Sequence, residues 1–158
     1  MTEFRNSAEK DRISVPARPA KDDNAIDILA RTIWGEARGE TVRGKEAVAA
    51  TIINRVNKAK ARGGHWWGAT VEEVCMMPWQ YSCWNANDPN REKLLAVEKS
   101  DRTFQTCLRV ARRAVHATLK DPTNGATHYH HIDLNPWWAA GRVPCAEIGN
   151  HLFYKNIS

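Results

Sequence analysis

From Ala25 onward, apolar residues return at helical spacing. Ile26, Leu29, Ala30, Ile33, Trp34 and Ala37 form one stripe, while Asp27, Arg31 and Arg38 fall on the far side. The cap-competent Asp22-Asp23-Asn24 precedes this stretch and Gly39 follows it, so the pattern predicts a first helix that ends near Ala37. A second helix is predicted over 43–61, with Val42, Ala49, Ile52, Ile53 and Val56 inward, Arg55, Lys58, Lys60 and Arg62 toward water, and Gly63-Gly64 as its stop. Thr70-x-x-Glu73 has the form of a capping box and opens a short helix reaching about Cys75. Residues 91–98 predict another short helix. Residues 101–119 predict a long one, with Phe104, Cys107, Leu108, Ala111, Val115 and Leu119 on one face and Asp121-Pro-Thr-Asn-Gly125 as its breaker. Between these helices, Trp79–Asn85 is irregular and aromatic, and 85–90 is prone to turn. Beyond Ala126 the alternation weakens, leaving 127–131 and 152–154 as short extended pieces. The reading is a mainly α (α+β) chain with a few short strands and no internal repeat.

Residues 1–24 break this pattern. They hold five basic and five acidic side chains, with Pro16 and Pro19 and few large apolar residues, which reads as a charged flexible arm ahead of a single catalytic-sized domain over 25–158. Because the arm's charges cancel, the formal net charge of +5 lies entirely on the domain. A pI near 9.2 suits a polyanionic partner: nucleic acid, an anionic membrane surface or the acidic polymers of a bacterial wall. The longest apolar run, Ala47–Ile53 with Thr51 tolerated, is far short of the ~20 residues of a spanning helix, so no membrane insertion is expected. Residues 1–20 also lack the apolar segment of a secretory signal, which predicts synthesis in the cytoplasm and release by another route.

Candidate chemistry is sparse. Cys75, Cys83, Cys107 and Cys145 match no C-x-x-C spacing and read as mostly buried thiols. Seven tryptophans outnumber the three tyrosines and three phenylalanines, and most stand beside glycine, proline or each other in predicted loops. Such residues either pack in the core, as expected for Trp34 and one of each adjacent pair, or form apolar walls for sugar C–H faces or bases. His128, His130 and His131 cluster, yet without an H-E-x-x-H or a cysteine at ligand spacing no metal or cofactor is expected. A G-x-S-x-G elbow and a P-loop are also missing. Glu36, within Trp34-Gly-Glu-Ala-Arg-Gly-Glu40, stands beside the Ile33 stripe at the end of the first helix. A carboxyl half withdrawn from water resists ionisation, as a general acid near neutral pH must. A solvated helix-end glutamate remains the alternative on these residues alone.

Five ordered blocks carry a resemblance: ARTIWGEARGE (30–40), GKEAVAATIINRV (44–56), PWQYSCWN (78–85), DPTNGATHY (121–129) and IGNHLFY (148–154). Together they resemble the SleB/CwlJ-type cell-wall hydrolases, a family of spore-cortex-lytic enzymes and phage endolysins, across nearly everything after the arm. The resemblance implies a lysozyme-like, mostly helical domain that cleaves peptidoglycan, with Glu36 as the catalytic acid and Gln80, Tyr81, Ser82, Tyr129 and His151 around the cleft. The histidine-rich 127–131 departs from the more aromatic and polar stretch of the family.

These expectations combine into a lytic transglycosylase acting on glycan strands between N-acetylmuramic acid and N-acetylglucosamine, without a cofactor. Glu36 is expected to protonate the leaving oxygen and to take a proton from the sugar's own C6 hydroxyl. A hydrolytic muramidase would need a second carboxylate, for which Glu40, Asp88, Asp133 and Glu147 are candidates. A zinc amidase built on the histidines and a non-catalytic basic module for wall polymer or nucleic acid are the readings from other classes. As an endolysin-like bacteriolytic monomer, the protein is expected to bind no nucleic acid and to reach the wall through a holin-type partner's membrane lesion.

Overall fold

The computed structural model describes residues 20–157; the arm expected over 1–24 lies largely outside the described residues, as does the expected absence of a signal over 1–20. Five α-helices are found among them: α1 (Ala20–Ala37), α2 (Val42–Ala61), α3 (Val71–Met76), α4 (Pro89–Ala96) and α5 (Arg102–Val115). They precede strands β1 (His128–His131), β2 (Ala146–Ile148) and β3 (His151–Tyr154). Short 3-10 turns occupy Ser82–Trp84 and Trp137–Ala139. Among the described residues, no helix is long and apolar enough to cross a membrane.

The stripes on α1, α2 and α5 face one another. Leu29, Ile33, Val48, Ile52, Cys107 and Val110 have no solvent exposure, and α3 and α4 close the ends with Val74 and Leu94. Trp67 fills the same core, its indole N–H donating to Arg55 O at 3.0 Å. Burial on this scale stabilises by about 25 cal/mol per Å² of apolar surface, so this three-helix layer carries most of the stability. The sheet has the order β1-β3-β2, all antiparallel, with His131 opposite His151 and Ile148 also opposite His151. It docks on α2 through a second, smaller cluster of Ala47, Ala126, Ile148 and Phe153.

The corner between α1 and α2 decides where the chemistry sits. Lys45, itself buried, donates from Nζ to the carbonyls of Arg38 (3.2 Å) and Glu40, groups that the end of α1 leaves unpaired. Thr41 caps α2 by accepting from Gly44 N at 3.2 Å. Upstream, α1 presses on the Ser82–Trp84 turn at Gly35, where a Cβ would stand 2.8 Å from Cys83 Sγ. Only glycine allows that approach, and it sets the next residue, Glu36, against the turn. Trp84 Nε1 donates to Thr32 Oγ1 at 2.9 Å and pins the same segment to α1.

Several boundaries differ from expectation. Helix α1 starts at Ala20, so Asp22, Asp23 and Asn24 lie inside it; no proline or glycine stands between Ala20 and Ala25, and acidic residues suit a first turn. Helix α4 starts at Pro89 because Asp88 caps it through Asn90 N (2.8 Å). Helix α5 stops at Val115, since Ala117 turns left-handed (φ 58°) and the amides of Thr118 and Leu119 fold back onto Arg113 O. Val42, expected inside, is half exposed at the head of α2. Arg55 and Lys58, expected in water, are engaged. Arg55 is buried, and Lys58 Nζ sits 5.5 Å from the Trp67 ring centre and 3.4 Å from Ile157 O, leaving Lys60 and Arg62 as the exposed pair. Strand β2, at three residues, is too short to show an alternation. All four cysteines are free thiols, with Cys145 alone half-buried.

Candidate active site

A cleft of about 300 Å³ opens at the seam between the helical layer and the sheet. Glu36 from the last turn of α1, Gln80, Tyr81 and Ser82 from the loop after α3, Tyr129 from β1 and His151 from β3 all line it. The structure thus brings together Glu36 and the five residues expected around the cleft, but none of the four candidate second carboxylates. Arg55, His130, His131, Leu134, Pro136 and Trp138 complete the wall.

Burial in this floor raises the Glu36 carboxyl above its ordinary value, and the Asp88 carboxylate adds to the rise. The Cys83 thiol, donating to Oε1 at 3.6 Å, and the Tyr129 hydroxyl pull the other way without cancelling it. A proton is therefore held on Glu36 at higher pH than on a solvated glutamate.

Arg55 ties three elements together. From α2, its Nε donates to Thr127 O at 2.6 Å and its Nη1 to Gln80 Oε1 at 2.9 Å, which fixes the Gln80 amide at the cleft edge. Its guanidinium also lies over Trp67 (5.0 Å) and Tyr81 (5.6 Å). Tyr81 is buried, and its hydroxyl has no hydrogen-bond partner. Arg55 was missed as a site component although a signal existed: with Ile52, Val56 and Ala59 it falls on the buried i, i+3, i+4, i+7 face of α2.

The sheet side is aromatic and imidazole-rich. Tyr129 meets His151 edge-on at 5.0 Å, and Trp138 packs against His128, His130 and Tyr154 at 5.3–5.6 Å. Most of these rings are spoken for. His130 donates from Nδ1 to His131 O (2.7 Å) and accepts at Nε2 from the Tyr154 hydroxyl (3.0 Å), and His128 Nδ1 pairs with Thr127 Oγ1 (2.9 Å). Burial and the facing Arg55 and Lys58 push His128 down to about 4. Among the described residues, no three His, Cys, Asp or Glu side chains converge as a metal site.

The spare carboxylates stand elsewhere. Among the described residues, Glu36 is the one carboxylate in the cleft wall. Asp88 caps α4, Asp133 is 83% exposed beside His131, and Glu147 is exposed on β2. Glu40, beyond the end of α1, is turned behind His151, with Oε1 3.7 Å from Nδ1. Of the tryptophans, Trp67 is core, whereas Trp79 and Trp137 are 78% and 88% exposed on the segments that supply Gln80 and Trp138.

Residues 39–154 match the sequence model of the cell wall hydrolases. The chain belongs to this family. Similar relatives are the spore cortex-lytic enzymes of Halalkalibacterium halodurans (32% identity over 143 residues, 89% of this chain and 37% of the relative) and Oceanobacillus iheyensis (30% over 146 residues, 90% and 45%). This chain therefore spans less than half of either relative. A match covering 89% of 158 residues includes Glu36 wherever it begins, although the family match starts just past it. Among solved structures, the catalytic domain of the germination-specific lytic transglycosylase SleB from Bacillus anthracis superposes with a TM-score of 0.66 at 27% identity, covering 89% of this chain and all of that one. The catalytic domain of the Bacillus cereus SleB protein gives the same score and identity over 91% and 98%. The mainly α fold with a small sheet is that of these cell wall hydrolase domains.

Proposed function

We propose that this protein is a lytic transglycosylase that cuts peptidoglycan, of the bacterial wall or the spore cortex, between N-acetylmuramic acid and N-acetylglucosamine. The observation that carries the reading is Glu36: a half-buried carboxyl, its pKa raised by burial, as the one carboxylate among the described residues in a cleft walled by aromatic and imidazole groups. Protonation of the leaving N-acetylglucosamine O4 by Glu36 lets the C1–O4 bond break as C1 takes on oxocarbenium character. Attack of the muramic C6 hydroxyl on C1 then closes a 1,6-anhydro ring. Hydrolysis by a pair of carboxylates needs a second one facing the sugar, roughly 5–9.5 Å from the first. The positions of Glu40, Asp88, Asp133 and Glu147 favour the single-acid route. The names of the relatives and of the solved SleB domains support the same substrate class.

Exposed Trp79 and Trp137 are platforms on which sugar rings can lie, and the domain's excess of basic groups draws it to an anionic polymer. The experiment is mass spectrometry of muropeptides released from purified peptidoglycan. Anhydromuramyl ends are expected from the wild type and none from Glu36→Gln. Reducing ends would turn the reading to a muramidase, and released stem peptides on intact glycan would turn it to an amidase. Activity should persist after dialysis against EDTA; zinc-dependent recovery would transfer the chemistry to the histidines.

A further inference from the structure

Glu40 is a second acidic residue near the cleft, and nothing in the single-acid reaction uses it. Its carboxylate is 10% exposed and His151 is 8% exposed, with Oε1 and Nδ1 3.7 Å apart. Backbone makes the recess that holds it. Gly149 (φ 57°) lies so close that a Cβ there would collide with Glu40 Oε2, and a Cβ at Gly44 would stand 2.8 Å from the Glu40 Cβ. The recess is thus shaped around this one side chain and opens onto His151.

The three cleft histidines differ in what their nitrogens do. His130 uses both, on His131 O and the Tyr154 hydroxyl. His131 accepts at Nδ1 from Asp133 N (3.1 Å), and its carboxylate neighbour is in solvent. His151 alone of the three has a buried carboxylate facing Nδ1. That Nδ1 is buried and makes no hydrogen bond, with Glu40 facing it as a charge from 3.7 Å, while the ring lines the cleft edge-on to Tyr129. A carboxylate only accepts, so its charge at this separation favours the hydrogen on the nitrogen it faces and the lone pair on the opposite one. Burial also lowers the His151 pKa, against the pull of Glu40, which keeps that lone pair free at neutral pH.

We propose that Glu40 is a positioning residue that holds His151 as the Nδ1–H tautomer, and that His151 Nε2 accepts the hydrogen of the hydroxyl that attacks C1. This rests on the glycosidase reading of the same cleft. The C1–O4 bond breaks as O4 takes the Glu36 proton; the hydroxyl oxygen then forms the bond to C1 and its proton passes to Nε2. The enzyme is left as an imidazolium and a carboxylate with its proton count unchanged, and exchange with solvent returns the proton from His151 to Glu36. Glu36 then does the work of an acid and is relieved of acting as base.

The first test needs no activity. Long-range 1H–15N correlation spectra of the histidine-labelled protein should show His151 protonated at Nδ1 and bare at Nε2, and Glu40→Gln should shift it toward a tautomer mixture. An Nε2–H tautomer in the wild type overturns the proposal whether or not the protein cuts peptidoglycan. With peptidoglycan, His151→Ala should lower kcat by about 100-fold or more, with KM little changed, and remove the acid-side fall of the kcat–pH profile. Glu40→Gln should lower kcat by about 10-fold or more while melting as the wild type does. An unchanged profile in a folded His151→Ala overturns it, whereas a wild type inactive on peptidoglycan with the expected tautomer overturns only the glycosidase reading. Anhydro or reducing ends in the products identify the attacking hydroxyl as the sugar's C6 group or water.

Discussion

The helical layer and the sheet layer solve different problems. Around α1, α2 and α5 the interior is mostly aliphatic, with Leu29, Ile33, Val48, Ile52 and Val110 fully buried beside Trp67 and Phe104. The sheet buries only a small apolar cluster on its inner side and fills the rest with imidazole, phenol and indole: His128, His130, His151, Tyr154 and Trp138. One layer supplies rigidity and a single acid at its rim; the other supplies polar contacts that would be costly to bury in bulk. Glu36 stands where they meet, and its chemistry comes from that position rather than from its helix.

The sharpest way to break this division is Glu36→Gln. The amide keeps shape and packing but donates no acidic proton, so peptidoglycan cleavage should fall by roughly 10²–10⁴-fold while the melting temperature stays or rises. Cleavage near wild-type rates with an intact fold would remove the helical rim from the chemistry. Next in size is the strap between the layers. Arg55→Leu leaves Thr127 O and Gln80 Oε1 without their donor in a buried setting, and it loses the stacking on Trp67 and Tyr81. A cost of about 2–3 kcal/mol follows, or about 5–10 °C in melting temperature, together with a loss of activity as Gln80 comes free. A variant that melts normally would mean that the two layers hold together without the arginine.

The same division explains what could be read in the sequence. Helices α1, α2 and α5 were legible because aliphatic burial writes a 3.6-residue period, and Thr70 wrote the start of α3 as a cap. Glu36 was legible as the acid that ends an apolar stripe. Arg55 was misread because a guanidinium on a buried face counts as polar in any pattern, although its partners lie 25 and 72 residues away. The sheet layer wrote almost no period: β1 alternates in burial with inward His128 and His130 but not in hydrophobicity, and β2 is three residues long. Glu40 was legible only as a spare carboxylate beyond the end of α1. Its direction is set by Gly149, which is distant in sequence, and not by continuation of α1 past Gly39.

A smaller effect separates the layers by pH. Glu36 has a folded-state pKa raised by burial, so its contribution to stability is full below about 4.5 and is lost as pH climbs through the raised value. His128 runs the opposite way: lowered from 6.5 to about 4, it contributes fully above 6.5 and loses that contribution as pH falls toward 4. Melting temperature measured against pH should therefore fall less between 6.5 and 4 in His128→Gln than in the wild type, with His65 and His151, also lowered by burial, keeping the rest of the fall. In Glu36→Gln the gain over the wild type should grow as pH rises. If both variants changed the same limb, the opposed electrostatics of the two layers would be wrong.

The least change is expected from Trp137→Ala, on the loop that carries Trp138 into the cleft. At 88% exposure the Trp137 ring contributes little to folding, so the melting temperature should not move. An aromatic platform against a sugar face is worth about 0.5–1.5 kcal/mol, which is about 2- to 12-fold in affinity. Sedimentation with peptidoglycan sacculi should show that loss at every salt concentration. Binding by the exposed basic groups, Lys60 and Arg62 among them, should instead weaken as salt shortens the Debye length toward about 3 Å at 1 M. The two contributions can then be told apart in one titration: the variant's curve should run parallel to the wild type and below it. Curves that converge at high salt would assign retention to charge alone, and Trp137 would then be an exposed ring without a part in holding the strand.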